Sequence, residues 1–264
     1  MTLALIAGEG DLPAALMAAL TPRPLVCALG DFAGADITLR LERLVPTLRA
    51  LQDQGVTEVV FAGAVQRPRL DPALFDGATA QLVPRLVQAM QAGDDATLRE
   101  IIAIFEAFDL TVRAIPDLAP HLLPGPGLLA GRISERDEAD AARAAAIVAA
   151  LGVIDVGQGA CVAQGQCLAV EALPGTDAML VAVAGLPPEL RPLPALGRGL
   201  FYKAAKPGQD RRIDLPTIGP QTLHLTAQAG LGGVAFQAGA VICLDLPQMR
   251  VDADRLGLFL WSRP

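Results

Sequence analysis

The sequence is poor in aromatic and histidine side chains. Only 4% of its 264 residues are aromatic, although 52% are hydrophobic, and its two histidines are His121 and His224. This composition is typical of small-residue helices and strands and argues against an aromatic-rich binding module. Because the two imidazoles are far apart in the chain, a structural zinc site is not expected.

Paired cysteines and long apolar runs are also missing. The four cysteines, Cys27, Cys161, Cys167 and Cys243, form no CxxC pair and are typical of buried, reduced thiols. The longest apolar candidate, residues 144–154, is shorter than the roughly 18 residues that span a bilayer. No basic segment precedes the first apolar strand, so a signal peptide is not expected. These features predict a soluble, cytoplasmic protein that can still contact a membrane.

Excess basic charge and the common hydrolase motifs are absent as well. The formal net charge of −7 argues against a nucleic-acid-binding surface. The sequence has no G-x-S-x-G elbow, no Walker lysine, no Nudix-type glutamate run and no signature of a dinuclear metallophosphoesterase. We therefore expect no nucleic-acid partner and, for any phosphohydrolase activity, an uncommon class.

The first half of the sequence alternates apolar strands with helices. The predicted strands cover residues 3–7, 25–29, 58–62 and 111–115. This alternation predicts a Rossmann-like α/β domain, a parallel sheet with helices on both faces. Gly8 and Gly10 match the first two glycines of a dinucleotide-binding fingerprint, but Pro13 replaces the third.

A stretch rich in Pro and Gly, residues 116–132, divides the sequence. The predicted fold class is therefore α/β with two domains. The N-terminal domain covers residues 1–122, a linker covers 123–133, and a C-terminal α/β domain with a mixed sheet covers 134–264. Hairpins are predicted in the C-terminal domain around Gln164–Gly165 and across residues 234–244.

Charged side chains crowd into one segment, residues 203–219. Its cations and carboxylates are Lys203, Lys206, Arg211, Arg212, Asp210 and Asp214. Pro216 favours an extended strand over residues 212–215, which would place Arg212 and Asp214 on one face. A carboxylate near cations and near a helix that begins at Gly219–Pro220 suits a phosphate-plus-metal substrate. The alternative is a surface loop with solvated charges.

Two further glycine turns are candidate sites. Gly63 and Arg67 follow the third predicted strand, and the ends of such strands are where open α/β sheets bind ligands. Thr176 and Asp177 open a helix shortly after Glu171, where they act either as helix caps or as site residues. The structural alternatives, a strand-ending turn and an ordinary cap, stay open for both.

Several segments together resemble, in the same order, those of a known family. They are residues 6–13 (IAGEGDLP), 61–63 (FAG) with 67–68 (RP), 93–95 (GDD), 155–160 (DVGQGA), Glu171 with 175–178 (GTDA), and 203–219, which ends in DLPTIG. The family is that of the LpxI-type UDP-2,3-diacylglucosamine pyrophosphatases of lipid A biosynthesis. The resemblance covers nearly the whole chain, and DLPTIG with the upstream Lys-Pro is its most specific part. Val156, where the family often has Ile, is a conservative departure.

The resemblance implies a cytosolic hydrolase that acts at the inner membrane on a lipid-linked nucleotide sugar. Such an enzyme cleaves UDP-2,3-diacylglucosamine to UMP and 2,3-diacylglucosamine 1-phosphate, depends on Mg²⁺ (or Mn²⁺), and binds its substrate between two α/β domains. The essential aspartate of the family falls on Asp214, which is assigned either to Mg²⁺ binding or to orienting the water. Asp177 is the second candidate catalytic carboxylate.

The remaining expectations concern substrate contacts and partners. The candidate substrate-binding residues are Gly8, Gly10, Gly63, Arg67, Gln158, Gly159, Thr176, Lys203, Lys206, Arg212 and Thr217. The partners expected are the substrate, the inner membrane through peripheral contact, and a second copy in a homodimer. The apolar helices over residues 141–151 and 178–186 are candidates for an acyl-chain groove, and the alternative for each is an ordinary core helix. The alternative functions are a nicotinamide-dependent oxidoreductase and a non-catalytic nucleotide-binding regulator.

Overall fold

A computed structural model describes residues 2–30, 32–65, 70–208 and 210–264 of the chain. The chain divides into two compact units. The first unit comprises Met1–Pro120 and Asp210–Asp214, and the second comprises His121–Gln209 and Leu215–Pro264. The predicted site residue Arg67 lies outside the described residues.

The first unit is built around a parallel sheet. Its strands are β1 (Thr2–Ala7), β2 (Leu25–Ala28), β3 (Ile37–Thr38), β4 (Val56–Ala62) and β5 (Thr111–Arg113), in the order β3-β2-β1-β4-β5. The flanking helices are α1 (Leu12–Ala19), α2 (Leu44–Asp53), α3 (Gly77–Ala80), α4 (Val83–Ala92), α5 (Asp94–Glu106) and α6 (Ile115–Leu118). The central strand β1 is apolar because a parallel strand is covered on both faces. The predicted Rossmann-like parallel sheet is confirmed.

Helices α2 and α5 supply much of the core of the first unit. In α2, Leu44, Leu48 and Leu51 recur at helical spacing and are all buried. In α5, Phe105 is buried and meets Phe61 of β4 edge to face, with ring centroids 5.0 Å apart. The apolar stripe of each helix therefore fixes it against the sheet.

The second unit contains a mixed sheet with helices on both faces. Its strands are β6 (Gly127–Ala130), β7 (Gly159–Ala163), β8 (Gln166–Val170), β9 (Leu200–Lys203), β10 (Thr217–Ile218), β11 (Gly233–Gln237), β12 (Ile242–Cys243) and β13 (Phe259–Arg263). The helices are α7 (Glu135–Val153), α8 (Gly175–Ala184), α9 (Pro220–Gln228) and α10 (Leu246–Leu256). The main sheet has the order β6-β13-β11-β9-β7-β8, with β13, β11 and β9 parallel to one another. The predicted mixed sheet is confirmed.

Side-chain alternation along β9 decides which residue faces which helix. Leu200 and Tyr202 belong to the core cluster that contains the alanines of α7. Phe201 belongs to the opposite cluster, together with side chains of α8, α9 and α10. Because residues two apart on a strand share a face, Lys203 lies on the α8 side with Phe201.

The hairpin predicted across residues 234–244 is wrong. Strand β11 lies between β9 and β13 and is parallel to both, whereas β12 pairs with β10 in a separate two-stranded sheet. Val234, Ala235 and Phe236 are all fully buried. A strand that is buried on both faces is typical of the middle of a parallel sheet. A hairpin strand usually has one exposed face, which this run lacks.

The strand predicted over residues 212–215 is also wrong. Residues 211–213 form a turn, in which Asp210 Oδ1 accepts a hydrogen bond of 3.0 Å from the backbone N–H of Arg212. Such aspartate-to-backbone bonds compete with extended structure. The extended segment begins only at Thr217, after Pro216. Ile213 packs against the core of the first unit.

Part of the predicted linker, residues 123–133, is regular structure. Strand β6 lies within it and pairs antiparallel with β13. The segment also contributes Pro124, whose carbonyl oxygen accepts hydrogen bonds from Gly239 and from Ser262. These residues therefore form one edge of the second unit's sheet.

The helices proposed as an acyl-chain groove use their apolar faces in the core. Ala141, Ala144 and Val148 of α7 are buried against the sheet, as are Leu180 and Val183 of α8. Those faces are therefore not available to acyl chains. Within the described part of the chain, every helix is too short or too polar to cross a bilayer.

Thiol reactivity should separate Cys167 from the other cysteines. Cys27, Cys161 and Cys243 are buried, and burial raises the pKa of Cys27 to about 11 and that of Cys243 to about 12. Cys167 is exposed, contrary to the prediction that all four thiols are buried. With an aromatic disulfide reagent at neutral pH, we expect one thiol to react in the native protein and the others only after unfolding. The variant Cys167→Ser should lose the native reaction, and a second native thiol of similar rate would contradict the burial.

Candidate functional site

A buried ion pair lies at the carboxyl end of β9. The Lys203 ammonium donates a hydrogen bond of 2.5 Å to Thr176 Oγ1 and lies 3.5 Å from Glu171 Oε1. Thr176 in turn donates a hydrogen bond of 3.1 Å to the same Glu171 oxygen. Lys203 is 6% exposed and Glu171 is 9% exposed. We refer to Lys203, Thr176 and Glu171 as the lysine cluster.

The β7–β8 hairpin and two glycines create room for the Glu171 side chain. The predicted turn at Gln164–Gly165 is confirmed, with φ values of 54° and 79°. It returns the chain so that the Glu171 N–H donates to the carbonyl oxygen of Gly159 at 2.8 Å. A Cβ at Gly157 would lie 2.0 Å from the Glu171 carbonyl oxygen, and one at Gly159 would lie 2.6 Å from Glu171 Oε2. Neither position admits a larger residue without movement.

Two acceptor oxygens beside this cluster are shielded from solvent and have no hydrogen-bond partner among the described residues. They are Glu171 Oε2 and Gln158 Oε1. A buried acceptor without a partner costs about 1–3 kcal/mol, so most such groups are satisfied. These two oxygens therefore mark places that suit an N–H or O–H donor. Glu171 lies beside a glycine turn in the sequence, which left a site role open, but it was not included among the candidate catalytic or substrate-binding residues.

A second, more exposed ion pair lies three residues further along. Lys206 Nζ is 2.6 Å from Asp155 Oδ1. Each lysine of this edge is therefore matched by a carboxylate, Lys203 by Glu171 and Lys206 by Asp155. The sequence suggested these lysines as cations for a phosphate, and the structure shows that each has a carboxylate partner. Asp177 is exposed in the first turn of α8.

The segment Asp210–Asp214 belongs to the first unit. Arg212 fixes it there through ion pairs with two carboxylates. The guanidinium meets Asp210 through two bonds, Nε to Oδ1 at 3.0 Å and Nη2 to Oδ2 at 2.7 Å, and its Nη1 lies 2.8 Å from Glu106 Oε1. These hydrogen bonds from Arg212 hold the pKa of Asp210 below its ordinary value. Asp214, which is half-buried, therefore follows a turn fixed by Arg212 on one side and by the packing of Ile213 on the other.

The arrangement of the acidic residues that the structure describes bears on magnesium binding. Among the described residues, no group of three or more His, Cys, Asp or Glu side chains could hold a metal. An all-protein cage of the calcium-binding kind is therefore not formed by these residues. Mg²⁺ usually keeps several waters and binds through one or two carboxylates together with substrate phosphates. A single carboxylate such as Asp214 fits that mode.

In the first unit, the predicted glycines sit where two loops touch. Glu9 and Ala64 exchange backbone hydrogen bonds of 2.8 and 3.0 Å. A Cβ at Gly8 would lie 2.4 Å from the Ala64 carbonyl oxygen, and one at Gly63 would lie 2.6 Å from that of Glu9. The chain itself therefore fills the space beside Gly8, the kind of space that a pyrophosphate uses in a dinucleotide-binding turn. Gly10 has a φ of 90° and open space around it.

The structure divides the predicted site residues between the units. Four of them, Gln158, Gly159, Thr176 and Lys203, lie together in the second unit. Their contacts include the pairing of Gly159 with Lys203 and a 3.0 Å bond from Ala204 N to the Gln158 carbonyl oxygen. Thr217 lies in β10, where its hydroxyl donates to the Leu215 carbonyl oxygen at 3.3 Å. The first unit carries Gly8, Gly10, Gly63, Arg212 and Asp214.

The fold and these clusters define a class: a two-unit α/β protein with a buried ionic cluster at the carboxyl end of a strand in its second unit. The family models for the LpxI N-terminal domain and the LpxI C-terminal domain match residues 2–122 and 126–261. The chain is 37% identical, over 271 residues, to the UDP-2,3-diacylglucosamine pyrophosphatase LpxI of Caulobacter vibrioides, covering 98% of this chain and 96% of the relative. The chain belongs to the LpxI family, which confirms the resemblance found in the sequence.

The buried pair predicts different costs for two neighbouring lysines. Lys203→Met should lower the free energy of unfolding of the second unit by about 3 kcal/mol, because it leaves Glu171 buried without its cation. Lys206→Met, which breaks the more exposed pair with Asp155, should cost less than about 1 kcal/mol. Urea unfolding followed by the fluorescence of Trp261, the only tryptophan of the chain, reports on this unit directly.

A double-mutant cycle tests whether the cost comes from the pair. Adding Glu171→Leu to Lys203→Met should be less destabilising than the sum of the two single changes, because no buried charge is then left alone. Equal costs for Lys203→Met and Lys206→Met, or strict additivity in the cycle, would show that Lys203 and Glu171 do not depend on each other.

Proposed function

We propose that this chain hydrolyses the diphosphate of UDP-2,3-diacylglucosamine to UMP and 2,3-diacylglucosamine 1-phosphate, with Mg²⁺ or Mn²⁺ as cofactor. One observation carries the proposal: the identity to a relative named for this pyrophosphatase activity extends over 98% of the chain. That match covers both units, so it takes in both the lysine cluster and the segment that holds Asp214.

The reaction adds a water oxygen to one phosphorus while the bridging P–O bond breaks. Charge on the diphosphate must be neutralised, and the water must be oriented for attack. A bound divalent ion supplies charge neutralisation and a more acidic water. In the proposal Asp214 either holds this ion or orients the water. The turn fixed by Arg212, Asp210 and Glu106 keeps the Asp214 backbone in place.

The lysine cluster has a different task in this proposal. Lys203 is almost fully buried and already bonded, so it positions the first turn of α8 rather than neutralising phosphate. The unpartnered oxygens of Glu171 and Gln158 suit donors such as sugar hydroxyls or the imide N–H of uracil. Asp177 and Lys206, at the same edge, remain candidates for direct substrate contact. A homodimer remains a prediction.

The defining experiment measures UMP release from UDP-2,3-diacylglucosamine in detergent micelles. We expect release that requires Mg²⁺ or Mn²⁺, stops in EDTA and returns when the metal is restored. The same assay separates the hydrolase from a nicotinamide-dependent oxidoreductase and from a non-catalytic nucleotide-binding regulator, since neither releases UMP. Absence of UMP from the wild-type chain would overturn the proposal, and full activity after exhaustive EDTA treatment would overturn its metal dependence.

Replacement of Asp214 should remove activity without unfolding the protein. We expect Asp214→Ala to lower the rate by at least about 10²-fold, as the loss of a single catalytic group does. Asp53→Ala is a matched control, since Asp53 is an exposed carboxylate at the end of α2 in the same unit. It should leave the rate within about twofold of wild type. A folded Asp214→Ala protein with near wild-type rate would refute the assignment.

Acyl chains should contribute strongly to substrate recognition. Each buried methylene is worth about 0.8 kcal/mol, so even partial enclosure of two chains dominates binding. UDP-N-acetylglucosamine has the same diphosphate without the long chains and is expected to be a very poor substrate. The measurement is kcat/KM for both compounds under the same micellar conditions. Values within about tenfold, a gap of only about 1.4 kcal/mol, would indicate a general nucleotide-sugar pyrophosphatase.

A further inference from the structure

Four large apolar side chains are exposed in the second unit, at the last residue of α7 and in the loops that follow α7 and β8. They are Val153, Ile154, Val156 and Leu173, with 77%, 67%, 41% and 98% of their surface exposed. We call these four residues the apolar fringe. Single exposed apolar residues are ordinary, whereas larger exposed apolar groups mark surfaces that contact a partner or a membrane. What distinguishes the apolar fringe from other exposed leucines of this unit is its position beside the lysine cluster.

The two loops touch each other beside the lysine cluster. Gly157, the residue after Val156, lies so close to the backbone of Glu171 that a Cβ there would be 2.0 Å from the Glu171 carbonyl oxygen. Leu173 follows Glu171 by two positions. The apolar fringe therefore borders the two unpartnered oxygens of Glu171 and Gln158.

Hydrogen bonds hold the first loop in a fixed shape. At the end of α7, the N–H groups of Ile154 and Val156 both donate to the Leu151 carbonyl oxygen, at 3.2 and 3.1 Å. Between them Asp155 has a φ of 56° and is 2.6 Å from Lys206. The apolar side chains are thus held outward by a structured turn and do not collapse onto the core.

We propose that the apolar fringe inserts into the headgroup boundary of a lipid bilayer. This inference rests on the proposed function, because a substrate with two acyl chains resides in a membrane and the fringe adjoins the cluster assigned to that substrate. The net charge of −7 gives the chain no general attraction to anionic lipids. Apolar burial is then the available driving force, and binding should depend little on salt or on anionic lipid.

The test uses the full chain and vesicles without substrate. Wild-type protein should float with phosphatidylcholine vesicles, and added phosphatidylglycerol or salt should change the bound fraction little. The triple variant Val153→Ser, Ile154→Ser and Leu173→Ser should lower the partition coefficient by at least about tenfold. Its hydrolysis of a short-chain, monomeric substrate should stay near wild type, because the fringe borders the polar cluster without belonging to it.

The control variant changes three exposed leucines near the start of β9, whereas the apolar fringe lies near the carboxyl end of that strand. Leu190, Leu193 and Leu196 are 60%, 62% and 56% exposed in the segment that leads to the start of β9. Changing these three leucines to serine should leave vesicle binding at the wild-type level. Equal losses from both triple variants would show that general surface apolarity, and not the fringe, is responsible.

Other outcomes test the membrane proposal separately from the proposed hydrolase activity. A wild-type chain that releases UMP but does not bind vesicles would refute the fringe alone. A chain that binds vesicles through the fringe but releases no UMP would refute the hydrolase and support the surface. If light scattering shows a wild-type dimer that the fringe variant converts to a monomer, a second copy covers the fringe and the membrane proposal falls.

Discussion

The ion pair between Lys203 and Glu171 is buried in the second unit and constrains how its elements are arranged. Removing two charges from water costs several kcal/mol per ion, and their attraction offsets this only when geometry and further hydrogen bonds are good. Thr176 provides such a bond to each partner. The pair therefore requires β9, the β7–β8 hairpin and the start of α8 to be in register at the same time. It ties β9 to a hairpin and a helix start that follow each other directly at an earlier point in the sequence.

The same condition explains why glycines occupy the neighbouring positions. Glu171 reaches Lys203 only because residues 157 and 159 carry no Cβ. In the first unit, Gly8 and Gly63 serve a comparable purpose where the loops after β1 and β4 meet. These glycines permit close backbone approach, and their presence near strand ends is therefore not by itself a sign of nucleotide binding.

The sequence predicted local features well and pairings poorly. Apolar runs located β1 and β4, and the Gln164–Gly165 turn located the β7–β8 hairpin, because each signal lies within a few residues. The prediction of a hairpin across residues 234–244 failed because the sequence of a strand buried on both faces does not indicate which strands pair with it. The prediction of an extended strand at 212–215 failed because the Asp210 side chain accepts a hydrogen bond from the backbone N–H of Arg212, which favours a turn.

The candidate site divides in the same way. Lys203 and Thr176 stood out as a cation in an apolar context and a residue at a helix start. Lys203 is buried and bonded because Glu171, over thirty residues away in the sequence, lies beside it. Likewise, Arg212 was noticed as a charge near Asp214, whereas its partner Glu106 lies 106 residues earlier in the chain. Partners so distant in sequence leave no local pattern.

The turn at Asp210–Asp214 has a consequence for how the chain is made. The first unit takes Ile213 into its apolar cluster and Arg212 against Glu106, so it is completed by residues that are synthesised late. If the N-terminal sheet forms during synthesis, as N-terminal domains generally do, this part of its surface stays uncovered until the first strands of the second unit have been made. A fragment cut at residue 122 would keep every strand of the parallel sheet and yet lack Ile213, which packs against its core, and the arginine partner of Glu106.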